Sequence, residues 1–174
     1  VAIGPGSLQY STDISSLVAV GDSAMNRNSS GTNNTALGSK TLYSNTAGAY
    51  NTALGYNAQY KNTIGNWNNT VGHNSMYNNT SGSYNNAIGT GSLFSNSTGN
   101  NNVAIGENSL YNNTTGYSNV AVGVHALRNN TTSNNRVAVG DSALFSNSTG
   151  TANVALGSKS LYSNQSGIAN TAAG

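Results

Sequence analysis

The side chains that can donate or accept protons are few in this sequence and lie far apart. The histidines are His73 and His125, and the carboxylates are Asp13, Asp22, Glu107 and Asp141. Hydrolysis by paired carboxylates needs two acids that flank one bond, and a histidine base needs a partner that orients it. The segment Gly89-Thr90-Gly91 lacks the strand, the fingerprint and the helix of a phosphate-binding loop. We therefore predict that the protein is not an enzyme and has no catalytic, cofactor-binding or metal-binding residues.

The composition differs from that of an ordinary globular domain. Charged residues make up 6% of the 174 positions, against about 25% in typical soluble domains. The basic residues are Arg27, Lys40, Lys61, Arg128, Arg136 and Lys159. They form no stripe that could follow a phosphate backbone, so we expect no nucleic-acid partner. Cysteine is absent, and no apolar run approaches membrane-spanning length, so we expect no membrane insertion in this segment.

A glycine recurs every 17 residues with no insertion or deletion, which is typical of repeat proteins whose units pack mainly on their neighbours. Ten units begin near Gly4, Gly21, Gly38, Gly55, Gly72, Gly89, Gly106, Gly123, Gly140 and Gly157, and Gly174 closes the last one. We call these the anchor glycines and each 17-residue unit a coil. The pattern is unfinished at both ends. We therefore expect residues 1–174 to be a single repeat domain within a longer fibrous protein.

Every coil carries the same short apolar pattern. A three-residue strand signature precedes each anchor glycine, its first and last residues share one face, and its middle residue is almost always alanine. A leucine or methionine, an aromatic residue, an asparagine and a second glycine follow, and we expect both glycines to form bends that need a positive φ. A helix would have to carry Gly and Asn-Asn-Thr in its interior, which is costly. We predict an all-β parallel β-solenoid of ten coils, roughly 48 Å long at about 4.8 Å per coil.

The pattern also predicts which residues fill the coil and which face outward. We expect the core to be formed by Leu42, Leu93, Ile105, Leu110, Val122, Leu127, Leu144 and Leu161. One coil has too few apolar side chains to offset the entropy of ordering 17 residues, so association with sister chains is expected. We expect the alanines to face out of the coil as a flat strip that contacts those chains. The predicted strip is Ala36, Ala53, Ala87, Ala104, Ala121, Ala138 and Ala155.

The repeats resemble those of known surface fibres. The pattern Asn-Val-Ala-Ile-Gly-x-x-Ser, best seen over residues 102–109, 119–126 and 153–160, is similar to the head repeats of trimeric autotransporter adhesins of the YadA-like family. The longer pattern over residues 41–55 and 109–123 is similar to repeats of phage tail fibres. The resemblance implies a left-handed parallel β-roll, a homotrimer and a role in attachment. It also implies an extracellular location, on a bacterial cell surface or a virion.

One coil breaks several columns of the repeat at once. Its unusual residues include Tyr56, Tyr60, Lys61 and Trp67, and aromatic residues beside a lysine suit contact with a carbohydrate or protein receptor. The alternative is a repacked coil in which Trp67 fills space left by missing leucine and glycine neighbours. A second, weaker candidate is the coil that contains His125, Arg128, Ser133, Asn135 and Arg136.

Two functional interpretations remain open from the sequence. The first is a rigid trimeric fibre or adhesin segment that attaches to a cell surface or host receptor. The second is an extracellular solenoid that binds ice through its Thr/Ser column or assembles end to end through open coil edges. The Asn-x-Ser/Thr sequons at Asn79, Asn96, Asn113, Asn130 and Asn147 follow from adjacent Asn and Thr columns, so we expect a structural origin for them.

Overall fold

The computed structural model describes residues 1–12 and 15–174. Within these residues, eleven short strands form one parallel sheet in chain order. The strands are β1 (Ala2–Ile3), β2 (Val18–Val20), β3 (Thr35–Leu37), β4 (Thr52–Leu54), β5 (Asn69–Val71), β6 (Asn86–Ile88), β7 (Val103–Ile105), β8 (Val120–Val122), β9 (Val137–Val139), β10 (Val154–Leu156) and β11 (Thr171–Ala173). Each residue pairs with the one 17 positions later, as Ala36 does with Ala53. The predicted all-β parallel solenoid of about ten coils is confirmed.

The anchor glycines bend the chain directly after each strand. Gly72 has a φ of 138°, which side chains with a Cβ rarely adopt. A Cβ at Gly72 would also lie 2.6 Å from the carbonyl oxygen of Gly89 in the next coil. Both the backbone conformation and the close stacking of coils therefore require glycine at this position.

The second glycine of each coil is required for a different reason from the one predicted. Gly82 has no positive φ, but a Cβ on it would lie 2.4 Å from the carbonyl oxygen of Gly99 and 2.5 Å from Oδ1 of Asn79. The second glycine is therefore set by close packing against the next coil and a buried asparagine. The prediction that both glycine columns need a positive φ is wrong for this column.

The strand alanines face the interior, opposite to the prediction. The members that are fully buried are Ala19, Ala36, Ala53, Ala87, Ala104, Ala121, Ala138 and Ala155. The strip predicted to contact sister chains is thus part of the core. Ile105 and Val122, which the sequence predicts to be core residues, lie on the outer face, and Ile105 is 38% exposed. The two strand faces alternate as expected, but the interior is so narrow that nearly every inner position of the sheet holds alanine.

A row of leucine and methionine side chains packs against the alanines from the opposite wall. Its fully buried members are Met25, Leu42, Met76, Leu93, Leu110, Leu127 and Leu144, and Leu161 is partly buried against them. These leucines therefore lie in the core, as the sequence predicts. They adopt positive φ values, for example 49° at Leu110. Such values are unfavourable for a bulky residue, so the stacking of neighbouring coils must hold them there.

Two ladders of buried asparagine side chains complete the interior. In the first ladder the amide nitrogens from Asn45 to Asn130 donate to the asparagine of the preceding coil, as Asn96 Nδ2 does to Asn79 Oδ1 at 2.9 Å. The same nitrogen also donates to the carbonyl oxygen of Gly99, the second glycine of its coil, at 3.0 Å. In the second ladder the side-chain oxygen accepts from the backbone of the next coil, as Asn85 Oδ1 does from the nitrogen of Asn102. Paired amides of this kind satisfy polar groups that burial would otherwise penalise.

Candidate interaction surface

The outer face of the sheet presents an exposed apolar row. This outer apolar row consists of the last residues of successive strands, of which Ile3, Leu37, Val71, Ile88, Ile105, Val139 and Leu156 are exposed. The first residues of the strands form a parallel row beside it that mixes Val, Thr and Asn. A contiguous apolar row on the surface is typical of an interaction site.

Aromatic side chains form a stacked column along another part of the rod. The rings of Tyr43, Tyr60, Tyr77, Phe94 and Tyr111 stack one above another with centroids 4.9–5.4 Å apart. Phe145 and Tyr162 continue the column at 5.0 Å. Arg128 fills the intervening position, with its guanidinium 5.4 Å from the centroid of Tyr111 and 5.9 Å from that of Phe145. These rings, half-buried except for the exposed Tyr162, stabilise the stacking of the coils.

The four predicted receptor contacts lie in separate columns and form no single cluster. Tyr60 belongs to the stacked column, and Lys61 Nζ donates to Asn78 Oδ1 at 2.9 Å beside the Tyr77 ring. Tyr56 is exposed and stacks on His73 at 5.6 Å. Trp67 lies in a further column and is exposed. Of the four, only Tyr56 and Trp67 present exposed rings.

Trp67 pairs with a residue of the preceding coil that the sequence of its own coil does not indicate. Its ring stacks on that of Tyr50 with centroids 4.0 Å apart and an interplanar angle of 2°. Tyr84 occupies the same column one coil later and is 58% exposed. Tyr50, Trp67 and Tyr84 have φ values of 57–60°, whereas other coils place Asn, Ser or Ala in this column. We call these three residues the aromatic patch. Its members keep bulky rings in strained, exposed positions, which is a reason to expect function.

The missing leucine of this coil is replaced by Gln59, and Trp67 takes no part in filling the core. Gln59 is fully buried and donates from Nε2 to Thr70 Oγ1 at 3.0 Å. Trp67 is 48% exposed. The alternative of a repacked coil correctly expects a changed core in this coil, but the residue that changes the core is Gln59 and not Trp67.

The second candidate coil combines four departures from the repeat. Arg136 occupies a position of the second asparagine ladder and is fully buried, and Ser133 replaces a second-column glycine. Arg128 interrupts the aromatic column, and His125 meets Phe145 edge to face at 6.3 Å. Burial lowers the pKa of Arg136 from its ordinary value to about 10. The sequence signalled the coil as unusual, but it did not indicate that Arg136 is buried.

The histidines and carboxylates of the sequence lie among the described residues, except for Asp13, which lies outside them. Among those that are described, no three His, Cys, Asp or Glu side chains are grouped so that they could hold a metal ion. The described surface has no concave pocket. None of the described residues belongs to a helix long and apolar enough to cross a membrane.

The sequon asparagines and the Thr/Ser column both serve the stacking of coils. Asn79, Asn96, Asn113, Asn130 and Asn147 are fully buried, so a glycan cannot reach them in the folded chain. In the column beside them, hydroxyl groups donate to the carbonyl one coil later, as Thr46 does to Thr63 at 3.0 Å and Thr114 does to Thr131 at 3.0 Å.

Comparison with protein-family models, with curated proteins and with solved structures finds no match for this chain.

Proposed function

We propose that this chain is a rigid structural segment of an extracellular fibre or adhesin that assembles as a homotrimer and attaches to a cell surface or host receptor. The observation that carries this proposal is the outer apolar row, which leaves leucine, isoleucine and valine side chains exposed on successive coils. The likeness of the repeats to YadA-like heads and phage tail fibres supports the same function.

A second copy of the chain is the partner that best fits the outer apolar row. The row carries no charge, and its side chains repeat at the coil spacing of about 4.8 Å. An identical rod has the same spacing, so its side chains can interdigitate with this row along the whole length. Because the strands are only two or three residues wide, a closed ring of copies around one axis buries these rows better than one flat pair does.

The aromatic patch is the surface that we assign to receptor contact. Trp67 and Tyr84 are about half exposed or more, and Tyr and Trp contribute much of the binding energy at protein and carbohydrate interfaces. The patch lies in a different column of the coil from the outer apolar row. Assembly through the row and binding through the patch can therefore be tested separately.

The ice-binding alternative has less support. An ice-binding face needs hydroxyl groups free to match a lattice, but the Thr/Ser column donates its hydroxyls to the backbone of the next coil. No observation on the described residues favours that function over the fibre.

The assembly is tested by the mass of the native protein in solution. Light scattering coupled to size-exclusion chromatography is expected to give three times the chain mass. The variant Ile88→Lys/Ile105→Lys places two charges in the outer apolar row and is expected to give a folded monomer. Tyr117→Lys makes the same kind of change in another exposed column and should remain trimeric. A monomeric wild-type protein at high concentration would overturn the trimer.

Receptor attachment is tested with the aromatic patch. Trp67→Ala and Tyr84→Ala are expected to abolish binding of the rod to its target cells while leaving the trimer intact. Asn101→Ala changes the same column outside the patch and should bind as the wild type does. Equal binding by all these variants would remove the patch from the proposal.

A further inference from the structure

The interior of the coil at residues 123–139 encloses a guanidinium group without a charged partner. Arg136 is fully buried. Its Nη1 donates to Asn130 Oδ1 at 2.7 Å and to the carbonyl oxygen of Asn147 at 2.8 Å, and both acceptors are neutral. In the six preceding coils an asparagine takes this position. The substitution therefore adds one positive charge to an interior otherwise lined by amides and methyl groups.

Several buried donors beside this guanidinium have no acceptor. Arg136 Nε and Nη2 lack hydrogen-bond partners, as do both polar atoms of the Asn147 amide. In the preceding coil Asn130 Nδ2 donates to Asn113 Oδ1 at 2.9 Å. The corresponding bond from Asn147 to Asn130 is missing because Arg136 uses the Asn130 oxygen. Three donor atoms and one acceptor, Asn147 Oδ1, are left unpaired in one place.

The stacking of coils is also broken beside this cluster. Elsewhere, two or three successive amides of each coil donate to one carbonyl of the next, as Thr46, Ala47 and Gly48 do to Thr63. The corresponding donors to Ser148 would be Thr131, Thr132 and Ser133, and the described backbone hydrogen bonds include none from them. Ser133 Oγ donates to that carbonyl instead, at 3.2 Å. This gap in the ladder lies at the exposed residues Thr131 and Thr132, which directly follow Asn130 in the sequence.

We propose that a single small inorganic anion of the halide class binds between these two coils, held by Arg136 Nε and Nη2 and by Asn147 Nδ2. A buried charge needs both hydrogen bonds and a counter-charge. The described neighbours of Arg136 supply only some of the hydrogen bonds and no counter-charge. A water molecule satisfies the donors but leaves the charge uncompensated. A halide is a single atom that can accept hydrogen bonds from all three donors at once, so it is the smallest group that supplies both the acceptor and the negative charge.

The test is the dependence of folding on chloride at constant ionic strength, with gluconate as the replacing anion. Chloride binding to the folded state alone raises the folding equilibrium constant about tenfold for each tenfold rise in chloride above the dissociation constant. The double variant Ser133→Gly/Arg136→Asn restores the repeat and is expected to lose this dependence. Arg128→Tyr removes the nearby half-buried arginine of the same coil and should retain it.

A second measurement uses the unaltered protein, so that it does not depend on the folding of any variant. Crystals grown in bromide are expected to show one anomalous peak within hydrogen-bond distance of Arg136 Nη2. Chloride dependence that is equal in the wild type and the double variant would overturn the site. A crystal structure that shows only water at Arg136 would overturn the site as well. Bromide peaks at surface residues and none at Arg136 would show an adventitious ion only, which would also overturn it.

Discussion

Nε2 of Gln59 donates a hydrogen bond to Oγ1 of Thr70 at 3.0 Å inside the rod. Each residue departs from its own column of the repeat, since the first replaces a core leucine or methionine and the second replaces a strand alanine. The two changes occur together, and Thr70 supplies an acceptor for the Gln59 amide nitrogen in an apolar interior. Thr70 Oγ1 also donates to the carbonyl oxygen of Thr52 at 3.3 Å.

We predict that this pair shows strong thermodynamic coupling. Thr70→Ala alone leaves the Gln59 amide without its best partner and should lower the free energy of unfolding by about 1–3 kcal/mol. Gln59→Leu/Thr70→Ala restores the repeat and should be at least as stable as the wild type, because it removes both polar groups together. Urea unfolding followed by circular dichroism measures all four proteins of the cycle. Additive effects of the two substitutions would contradict the coupling.

The second-column glycines provide another prediction. Gly82→Ala places a methyl group against the Gly99 carbonyl and the Asn79 side chain, neither of which can move without breaking a ladder. We expect a loss of about 1–3 kcal/mol or more from overpacking. Ser133→Gly is the matched reverse change, and it should stabilise the rod. Thermal unfolding of both variants tests the pair, and an unchanged midpoint for Gly82→Ala would show that the stacked coils yield easily at this position.

The buried asparagine ladder predicts a pH-dependent variant. Asn96→Asp places a carboxyl group against Asn79 Oδ1 and the Gly99 carbonyl, which are both acceptors. Burial and these acceptors should raise the pKa of that carboxyl above its unfolded value of about 3.9. The stability of the variant relative to the wild type is then greatest below pH 4 and falls as the pH rises through the folded pKa. At pH 7 we expect a loss of about 3 kcal/mol or more.

The control for this variant is Asn101→Asp, which introduces the same carboxyl group at an exposed position. Chemical unfolding between pH 3 and pH 8 compares the two variants with the wild type. A parallel loss in both variants, or a loss at Asn96 that does not depend on pH, would show that the ladder tolerates a buried charge.

The period, the strand positions and their parallel register could be predicted from the sequence because each depends only on the spacing of repeated residues. Which face of each strand points into the core could not be predicted, because alternation defines two faces without indicating which one is buried. The outer position accepts Asn69 and Asn86 as well as valine, whereas Thr70 is the one large departure from alanine at the inner position. That narrow size range was the available signal that the interior has room for only a small side chain.

The candidate surface was less predictable because contacts between coils link residues 17 positions apart. Comparing columns instead of single coils would have paired Tyr50 with Trp67 and placed Tyr60 in the stacked column. The burial of Arg136 was harder to foresee, because a charged residue at one position of a buried ladder contradicts the rule that such groups face solvent.

Arg136 predicts the pH dependence of the wild-type rod at the alkaline end. Because burial lowers the pKa of Arg136 to about 10 in the folded state, the unfolded chain binds more protons than the folded chain at pH values above about 10. In that window the wild type should gain stability relative to Arg136→Asn, whereas below pH 10 the variant should be the more stable of the two. Tyrosine ionisation affects both proteins alike, so the difference between them isolates Arg136. Urea unfolding from pH 8 to pH 12 in chloride-free gluconate measures it, and a difference that stays constant with pH would show that Arg136 keeps its ordinary pKa.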